Sequence, residues 1–282
     1  MAEAVSVQKP GYGCFVRATY SHTLVMMLRR RRAILAGCVV LAPVLMPLAM
    51  AFISASPHAD DGTKHFVMLV DYVYLRTLAP LIALFFGCML IGEDVESESI
   101  PYLLTRPIPR SAWVTGKFLA YLVVSTALLA SSILLCFFAC TALGGLSLSA
   151  ASVKLLLHYE GVAVMALMGY GAVCLFLGAL FKRPVIVGVV VLFAWQRLAM
   201  AIPGLIDFFT IEKYVRALLP RLATERENVV IKTALMEFQK KVFMVGAAKA
   251  AAMLVIIPVV LLALTTLVVR WREYSSARAV GG

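Results

Sequence analysis

Six long apolar runs, separated by short polar stretches, dominate the pattern of residues along this chain. A helix needs about 20 consecutive apolar residues to cross the hydrocarbon core of a bilayer, and each run is close to that length or longer. We therefore predict six transmembrane helices and number them segments 1 to 6. Their predicted bounds are Ala33–Phe52, Phe66–Ile91, Phe118–Leu143, Leu155–Phe181, Pro184–Leu205 and Val245–Val269.

An amphipathic helix is predicted ahead of segment 1. Four apolar residues recur at helical spacing, namely Val16, Tyr20, Leu24 and Met27, and the polar residues Arg17, Ser21 and His22 are turned away from them. A helix with one apolar face and one polar face suits the surface of a membrane. Residues 1–11 show no periodic pattern of apolar residues and are predicted to be a loose tail. Residues 12–282 are predicted to form one domain.

The connection between segments 5 and 6, residues 206–244, shows two further stripes at helical spacing. The first stripe consists of Ile211, Tyr214 and Leu218, with Glu212 and Arg216 spaced to pair at i,i+4. The second consists of Ile231, Leu235, Phe238 and Val242, with Glu237 and Lys241 likewise spaced. We predict two short external helices, which by their period alone would only cap the bundle; a gate is what the family resemblance described below implies for them.

Composition supports a membrane protein and leaves no room for a soluble domain. The chain has 282 residues, of which 62% are hydrophobic and 15% charged, and its mean hydropathy is +0.93. Soluble globular domains are about half apolar and about a quarter charged. The fold class is therefore predicted to be all-α, a polytopic protein whose helices are joined mostly by short loops.

The formal net charge of +11 is distributed as expected for membrane orientation rather than for nucleic-acid binding. Its densest run, Arg29–Arg32, lies directly before segment 1. Lys and Arg concentrate on the cytoplasmic side of membrane proteins. We predict that both termini are cytoplasmic, that the chain lies in the cell membrane, and that it binds no nucleic acid.

The cysteines give no sign of a disulfide framework or a metal site. Most of the six lie inside apolar runs, where no oxidising compartment reaches them in pairs. Cys136 and Cys140 are one helical turn apart and could share a soft metal, but small buried residues in a membrane helix are the commoner case. We predict no bound metal.

Catalytic motifs are also missing from the sequence. The nearest approach to a phosphate-binding loop is Gly116-Lys117, but Ser111 stands where the loop needs Gly, and Phe118 stands where it needs Ser or Thr. Ser147 and His158 are predicted outside membrane depth, which argues against an intramembrane protease. The chain is therefore predicted not to be an enzyme and to bind no nucleotide itself.

Five polar residues are predicted within the membrane and are candidates for a translocation path: Asp71, Arg76, Glu160, Gln196 and Arg197. Ionisable groups at such depth normally face protein or water rather than lipid. Asp71 and Arg76 either line a path or extend to the outer interface. Arg197, about 20 Å above the start of segment 5, either lines a cavity or pairs with a carboxylate such as Glu160.

The stretch from Gly92 to Lys117 is the part that looks built to contact a soluble partner. Acidic residues come first, an apolar cluster follows, and basic residues stand among Pro107 and Pro109. Ser99 can cap a short helix that Pro107 ends. A helix with charged flanks and an apolar middle would fit a shallow groove on another protein.

This stretch, GEDVESESIPYLLTRPIPRSAWVTGK, resembles the membrane subunits of ABC-2 type transporters, including the NosY-like permeases. Glu96 matches the acid of the family, Ser99 its usual Thr, and Glu98 departs from it by standing where many members have Gly. Leu103 and Leu104 match its Leu pair, and Pro107 and Arg110 its Pro-x-x-Arg. In the family, this segment is a coupling helix that docks on a separate ATP-binding subunit.

The resemblance implies that this chain is a permease subunit and that it works as a dimer, here a homodimer, with two ABC ATP-binding subunits. Most members of the family belong to exporters. ATP and Mg²⁺ would bind those subunits and not this chain. The helix before segment 1 would be the elbow helix of the family. We call residues 92–110 the coupling segment. The residues expected to couple to the ATPase are Glu93, Asp94, Glu96, Ser99, Tyr102, Leu103, Leu104, Arg106, Pro107, Arg110, Lys182 and Arg183.

The main alternative from another class is a channel or secondary transporter without ATPase partners. It would use the intramembrane charges as its ion path, namely Asp71, Arg76, Glu160 and Arg197. A repeated pair of broken helices would favour this alternative, and the sequence shows none.

Overall fold

The computed structural model describes most of the chain as a bundle of helices. It covers residues 11–29, 31–53, 59–96, 109–143, 146, 148–201, 210–219, 228–233, 236–241 and 245–271. The predicted tail, residues 1–11, lies outside this range except for Gly11. The predicted all-α membrane fold is confirmed, with one short pair of strands as an exception.

Four helices of the described chain are long and apolar enough to cross a membrane: Gly62–Gly92, Arg110–Ala142, Ala150–Leu180 and Ala247–Trp271. They correspond to segments 2, 3, 4 and 6. Segments 1 and 5 correspond to shorter apolar helices, Ala36–Ala49 and Pro184–Trp195. Six crossings therefore stay a prediction.

The predicted amphipathic helix is present at Tyr12–Arg29, and we call it the N-terminal helix. Its face is as predicted, because Met27 is buried while Arg17 and His22 are exposed. It packs on the start of segment 3 at Gly116. A Cβ at that glycine would lie 2.8 Å from the Cβ of Thr19, so only glycine permits this approach.

Segment 1 changes its helix type near Pro43. The chain forms helix Arg31–Leu41, a 3-10 turn at Ala42–Val44 and helix Leu45–Ile53. Proline has no N–H for the helical ladder and its ring crowds the preceding turn. The change from α-helix to a 3-10 turn therefore occurs at Pro43.

Segment 2 is one helical rod that widens twice into π-helix. Its parts are Ala59–Leu69, π-helix Val70–Leu78, Ala79–Ile82, π-helix Ala83–Gly87 and Cys88–Glu96. Pro80 offers no N–H to the carbonyl four residues before it. The Ala79 N–H bonds to the Tyr74 carbonyl, five residues back, and the Thr77 hydroxyl donates to the Tyr72 carbonyl at 3.2 Å. Such π turns occur often at functional sites.

Segment 3 is the helix Arg110–Leu143, so it begins well before the predicted Phe118. It starts directly after Pro109, whose carbonyl accepts the N–H of Trp113 at 3.2 Å. No proline follows within the helix, so the polar residues between Pro109 and Phe118 continue it without a break.

Segment 4, Ala150–Leu180, is the central helix of the bundle, and its apolar core is 72% buried. Small residues let its neighbours approach closely, as is usual in membrane bundles. A Cβ at Gly171 would lie 2.1 Å from the Tyr121 ring of segment 3. A Cβ at Gly87 of segment 2 would lie 2.7 Å from the Cβ of Cys174.

Segment 5 begins after the exposed turn of Lys182 and Arg183. It consists of helix Pro184–Val189, π-helix Val190–Trp195 and helix Gln196–Ala201. Segment 6 is the helix Ala247–Trp271, and it packs mainly on segment 4. Only 22% of its apolar 18-residue stretch is buried within the bundle.

The connection between segments 5 and 6 contains one of the two predicted helices. The first is present at Ile211–Leu218, and we call it the connecting helix. The second prediction is wrong, because strands Asn228–Thr233 and Met236–Lys241 form an antiparallel hairpin there. Val229, Val230 and Ile231 are β-branched, which favours a strand over a helix. The register pairs Asn228 with Lys241 and Thr233 with Met236 at the two ends of the hairpin.

Candidate functional site

An ion-pair cluster of three residues joins segment 2 to the connecting helix. The Nε of Arg76 donates to Oε1 of Glu212 at 2.9 Å, and Nη2 of Arg216 donates to the same oxygen at 2.8 Å. The Glu212 side chain is 8% exposed. A buried carboxylate is costly unless it is paired, so this contact holds the connecting helix against segment 2. We call Arg76, Glu212 and Arg216 the Glu212 cluster.

The connecting helix enters the bundle rather than lying on its surface. Ile211 packs against Gly169, where an added Cβ would lie 3.1 Å from its Cγ2. Gly169 is about 28 Å along segment 4 from Ala150. At the other end of the connecting helix, the Leu218 carbonyl accepts a hydrogen bond from His158 Nε2 at 2.7 Å. His158 is only about 12 Å from Ala150, so the connecting helix runs along segment 4, and its Ile211 end is farther from Ala150 than its Leu218 end.

Polar groups from segments 2, 4 and 5 surround the Glu212 cluster. The guanidinium of Arg76 lies 4.7 Å from the centre of the Tyr72 ring, a cation–π geometry. Tyr170 of segment 4 lies near Glu212 and Arg76, and its hydroxyl donates to Gln196 Oε1 at 3.5 Å. Gln196 is itself buried. The structure thus brings two of the predicted path residues, Arg76 and Gln196, to one region.

The other three predicted path residues are not joined to this cluster by a described bond. Asp71 lies on the same π-helical stretch as Arg76 and is near Tyr159. Glu160 is half-buried on segment 4 and makes no ion pair within the described part of the chain. Arg197 lies in the helix Gln196–Ala201, but its side chain is outside what the structure describes.

Most of the predicted coupling segment also lies outside the described residues. Ser99, Tyr102, Leu103, Leu104, Arg106 and Pro107 are not described, and of Glu93, Asp94 and Glu96 only the helical backbone is. Lys182 and Arg183 are described and exposed. Their turn lies beside the end of segment 2, since a Cβ at Gly92 would be 3.2 Å from Cγ of Pro184. These parts of the predicted coupling surface are therefore adjacent.

Arg110 is described, and its side chain is bonded within the chain. Its Nη1 donates to the carbonyl of Val269 at 3.3 Å and to that of Arg270. These carbonyls belong to the last turn of segment 6, where the helix offers no N–H partner for them. Arg110 therefore caps the end of segment 6, which was not predicted.

Glu212 and Tyr170 are the site residues that the sequence did not identify. The i,i+4 spacing of Glu212 and Arg216 is visible in the sequence, and their predicted pairing is confirmed. The third member, Arg76, is 136 residues away, so only the fold brings it near. In the described part of the chain, no three His, Cys, Asp or Glu side chains come together as metal ligands would.

Comparison with known proteins identifies the family. The family model described as ABC-2 family transporter protein matches residues 20–273, which is nearly the whole chain. A search of curated proteins finds no match. The match includes all six apolar segments, the coupling segment and the Glu212 cluster. This chain belongs to the ABC-2 transporter family and is a multi-pass membrane component of an ABC transporter, a partner of an ABC ATP-binding subunit.

Proposed function

We propose that this chain is the permease subunit of an ATP-driven exporter, in which two copies assemble with two ATP-binding subunits. The observation that carries the proposal is the family match over residues 20–273. ATP and Mg²⁺ bind the partner subunits, and both termini of this chain are cytoplasmic. The resemblance of Gly92–Lys117 to NosY-like permeases supports docking through the coupling segment.

In the proposed mechanism, ATP binding brings the two ATPases together, and the coupling segment transmits this movement to segments 2 and 3. Transport is then a change between two packed arrangements of one bundle, which needs no covalent chemistry in this chain. The connecting helix acts as the gate, because it lies at the depth of Gly169 and is held by a buried ion pair.

The ATP-independent channel is not favoured by any described contact. Arg76 is bonded to Glu212 instead of being available to a moving ion. Packing of the connecting helix explains a buried ion pair of this kind as well as ion conduction does.

Co-purification with the candidate ATP-binding subunit tests the proposal. The wild-type chain in nanodiscs should bring down that subunit in equal numbers, and native mass spectrometry should show two copies of each. The double change Leu103→Asp and Leu104→Asp should abolish binding, because it places charges in the apolar middle of the coupling segment. Lys154→Glu is the matched control, since Lys154 is exposed at the far end of segment 4, and it should bind normally.

Two outcomes would contradict the proposal. Failure of the wild type to bind any ATP-binding subunit, together with ion conduction by the purified chain alone, would favour a channel. Normal binding by the Leu103 and Leu104 variant would place the docking surface elsewhere.

A further inference from the structure

The first two turns of segment 3, Arg110–Lys117, contact three other helices at once. Arg110 donates to the last turn of segment 6. Lys117 donates to segment 2 through the carbonyl of Leu90. Gly116 receives the N-terminal helix. Residues 97–108, the middle of the coupling segment, lead directly into this stretch.

The contact of Arg110 is suited to transmitting movement from segment 3 to segment 6. Val269 and Arg270 lie in the last turn of segment 6, whose carbonyls carry the negative end of the helix dipole. Hydrogen bonds to a charged donor are stronger than neutral ones. Among described residues, the side chain of Arg110 makes its bonds to these two carbonyls only.

Lys117 makes an equivalent contact to segment 2. It is 6% exposed, which is rare for lysine, and its ammonium lies 4.6 Å from the centre of the Trp113 ring. Its bond to the Leu90 carbonyl spans 27 positions of sequence. A buried ammonium held in this way fixes segment 3 to segment 2.

The N-terminal helix completes the junction. Its Tyr12 hydroxyl lies 3.5 Å from the Thr115 hydroxyl, and hydrogen bonds from Ser111 and Thr115 lower the pKa of Tyr12. Gly116 brings the backbone of segment 3 against Val16 and Thr19. The N-terminal helix is thus bound to the same two turns of segment 3.

We propose that Arg110 and Lys117 are positioning residues that tie segments 6 and 2 to segment 3, so that movement of the coupling segment displaces all three as one unit. This inference rests on the proposed function, since the movement must come from a bound ATPase. It extends the expected mechanism, in which only segments 2 and 3 receive the movement. Arg110 then acts within the permease and not as an ATPase contact.

Spin-label distances in the assembled complex test the inference. Leu119 of segment 3, Leu267 of segment 6 and Leu198 of segment 5 are exposed and can be changed to Cys for labelling. The exposed native cysteines, Cys14 and Cys38, are first changed to Ser. Labelled chain is diluted with unlabelled chain so that distances within one chain dominate.

In the otherwise wild-type chain, ATP should leave the 119–267 distance unchanged while the 198–267 distance changes. This measurement does not depend on whether any Arg110 variant folds. A change in the 119–267 distance as large as that in the 198–267 distance would overturn the inference.

Substitution of Arg110 supplies the second test. Arg110→Met should keep the ATPase bound but let the 119–267 distance change with ATP, and Arg110→Lys should restore the wild-type behaviour because an ammonium can still donate to the carbonyls. Arg17→Met, a change of an exposed arginine on the N-terminal helix, is the matched control and should behave like wild type.

The outcomes separate this inference from the proposed function. If Arg110→Met loses the ATPase, Arg110 is a docking contact and the inference is wrong while the function stands. The same holds if Arg110→Met binds the ATPase and keeps the 119–267 distance constant. If the wild type binds no ATPase, the function fails and the inference fails with it.

Discussion

Single glycines decide how closely the helices of this bundle approach each other. Gly171 faces the ring of Tyr121, whose hydroxyl donates to the Leu167 carbonyl at 3.1 Å. Gly161, on the same helix, has no atom within 4 Å of an added Cβ. The two glycines look alike in the sequence, and only their surroundings distinguish them.

Gly171→Ala should destabilise the purified protein by about 1–3 kcal/mol, because the new methyl group would overlap the Tyr121 ring and force it to move. The unfolding temperature in detergent, followed by size-exclusion chromatography after heating, would measure this loss. Gly161→Ala is the control, and it should be neutral or slightly stabilising because alanine is the better helix former. Equal stability of the two variants would show that segments 3 and 4 are less tightly packed at Tyr121.

Two neighbouring serines of segment 3 provide a second contrast. The Ser132 hydroxyl is buried, donates to the Val40 carbonyl at 2.6 Å and lies 2.9 Å from the Tyr74 hydroxyl. It thereby joins segments 1, 2 and 3. Ser131 is exposed and donates only to the Leu128 carbonyl of its own helix, at 2.9 Å.

Ser132→Ala should cost about 1 kcal/mol, since interhelical hydrogen bonds in membrane proteins contribute about that much. Ser131→Ala should cost nothing measurable. The same heating assay on both variants would check the difference. A larger loss for Ser131→Ala would contradict the described packing of segment 1.

At the scale of elements, the Glu212 cluster shows how two short elements support each other. Arg76 lies on the π-helical stretch Val70–Leu78, and Glu212 lies at the start of the connecting helix. The pattern of the sequence predicts the connecting helix but not its contact with segment 2. The buried ion pair fixes one against the other.

Glu212→Gln should loosen the connecting helix, because the amide carries no charge to balance Arg76 and Arg216. We expect amide hydrogen exchange in residues 211–218 to become about tenfold faster, a change of about 1.4 kcal/mol in local opening. Exchange measured by mass spectrometry in nanodiscs would report it. Lys249→Gln, on an exposed residue of segment 6, is the control, and unchanged exchange in Glu212→Gln would argue that packing alone holds the helix.

At the scale of the whole molecule, the proposed orientation places the N-terminal helix in the cytoplasm. Cys14 on that helix is exposed, and Lys154 is exposed near the start of segment 4. A membrane-impermeant maleimide should therefore label Lys154→Cys, in a background with Cys14→Ser and Cys38→Ser, in sealed cells. Cys14, in a chain with Cys38→Ser alone, should react only after the cells are opened. The reverse pattern would invert the topology.

The apolar pattern by itself determined the membrane class and the order of the long helices. Segments 2, 3, 4 and 6 are long and apolar. In a bilayer, such runs can form hydrogen bonds between their backbone N–H and C=O groups only as helices. The face of the N-terminal helix also followed from its period, because Met27 is buried while Arg17 and His22 are exposed. The family followed from the motif at Gly92–Lys117, and the match over residues 20–273 agrees with it.

Tertiary structure decided what joins these helices. The helical spacing of Ile231, Leu235 and Phe238 failed to predict a hairpin, because β-branched residues and strand pairing outweighed a short periodic stripe. The bonds of Arg76 to Glu212 and of Arg110 to Val269 connect residues 136 and 159 positions apart. The pattern of residues along the sequence reports only on residues within a few helical turns of each other. Contacts between distant buried charges and carbonyls are therefore determined by how the helices pack.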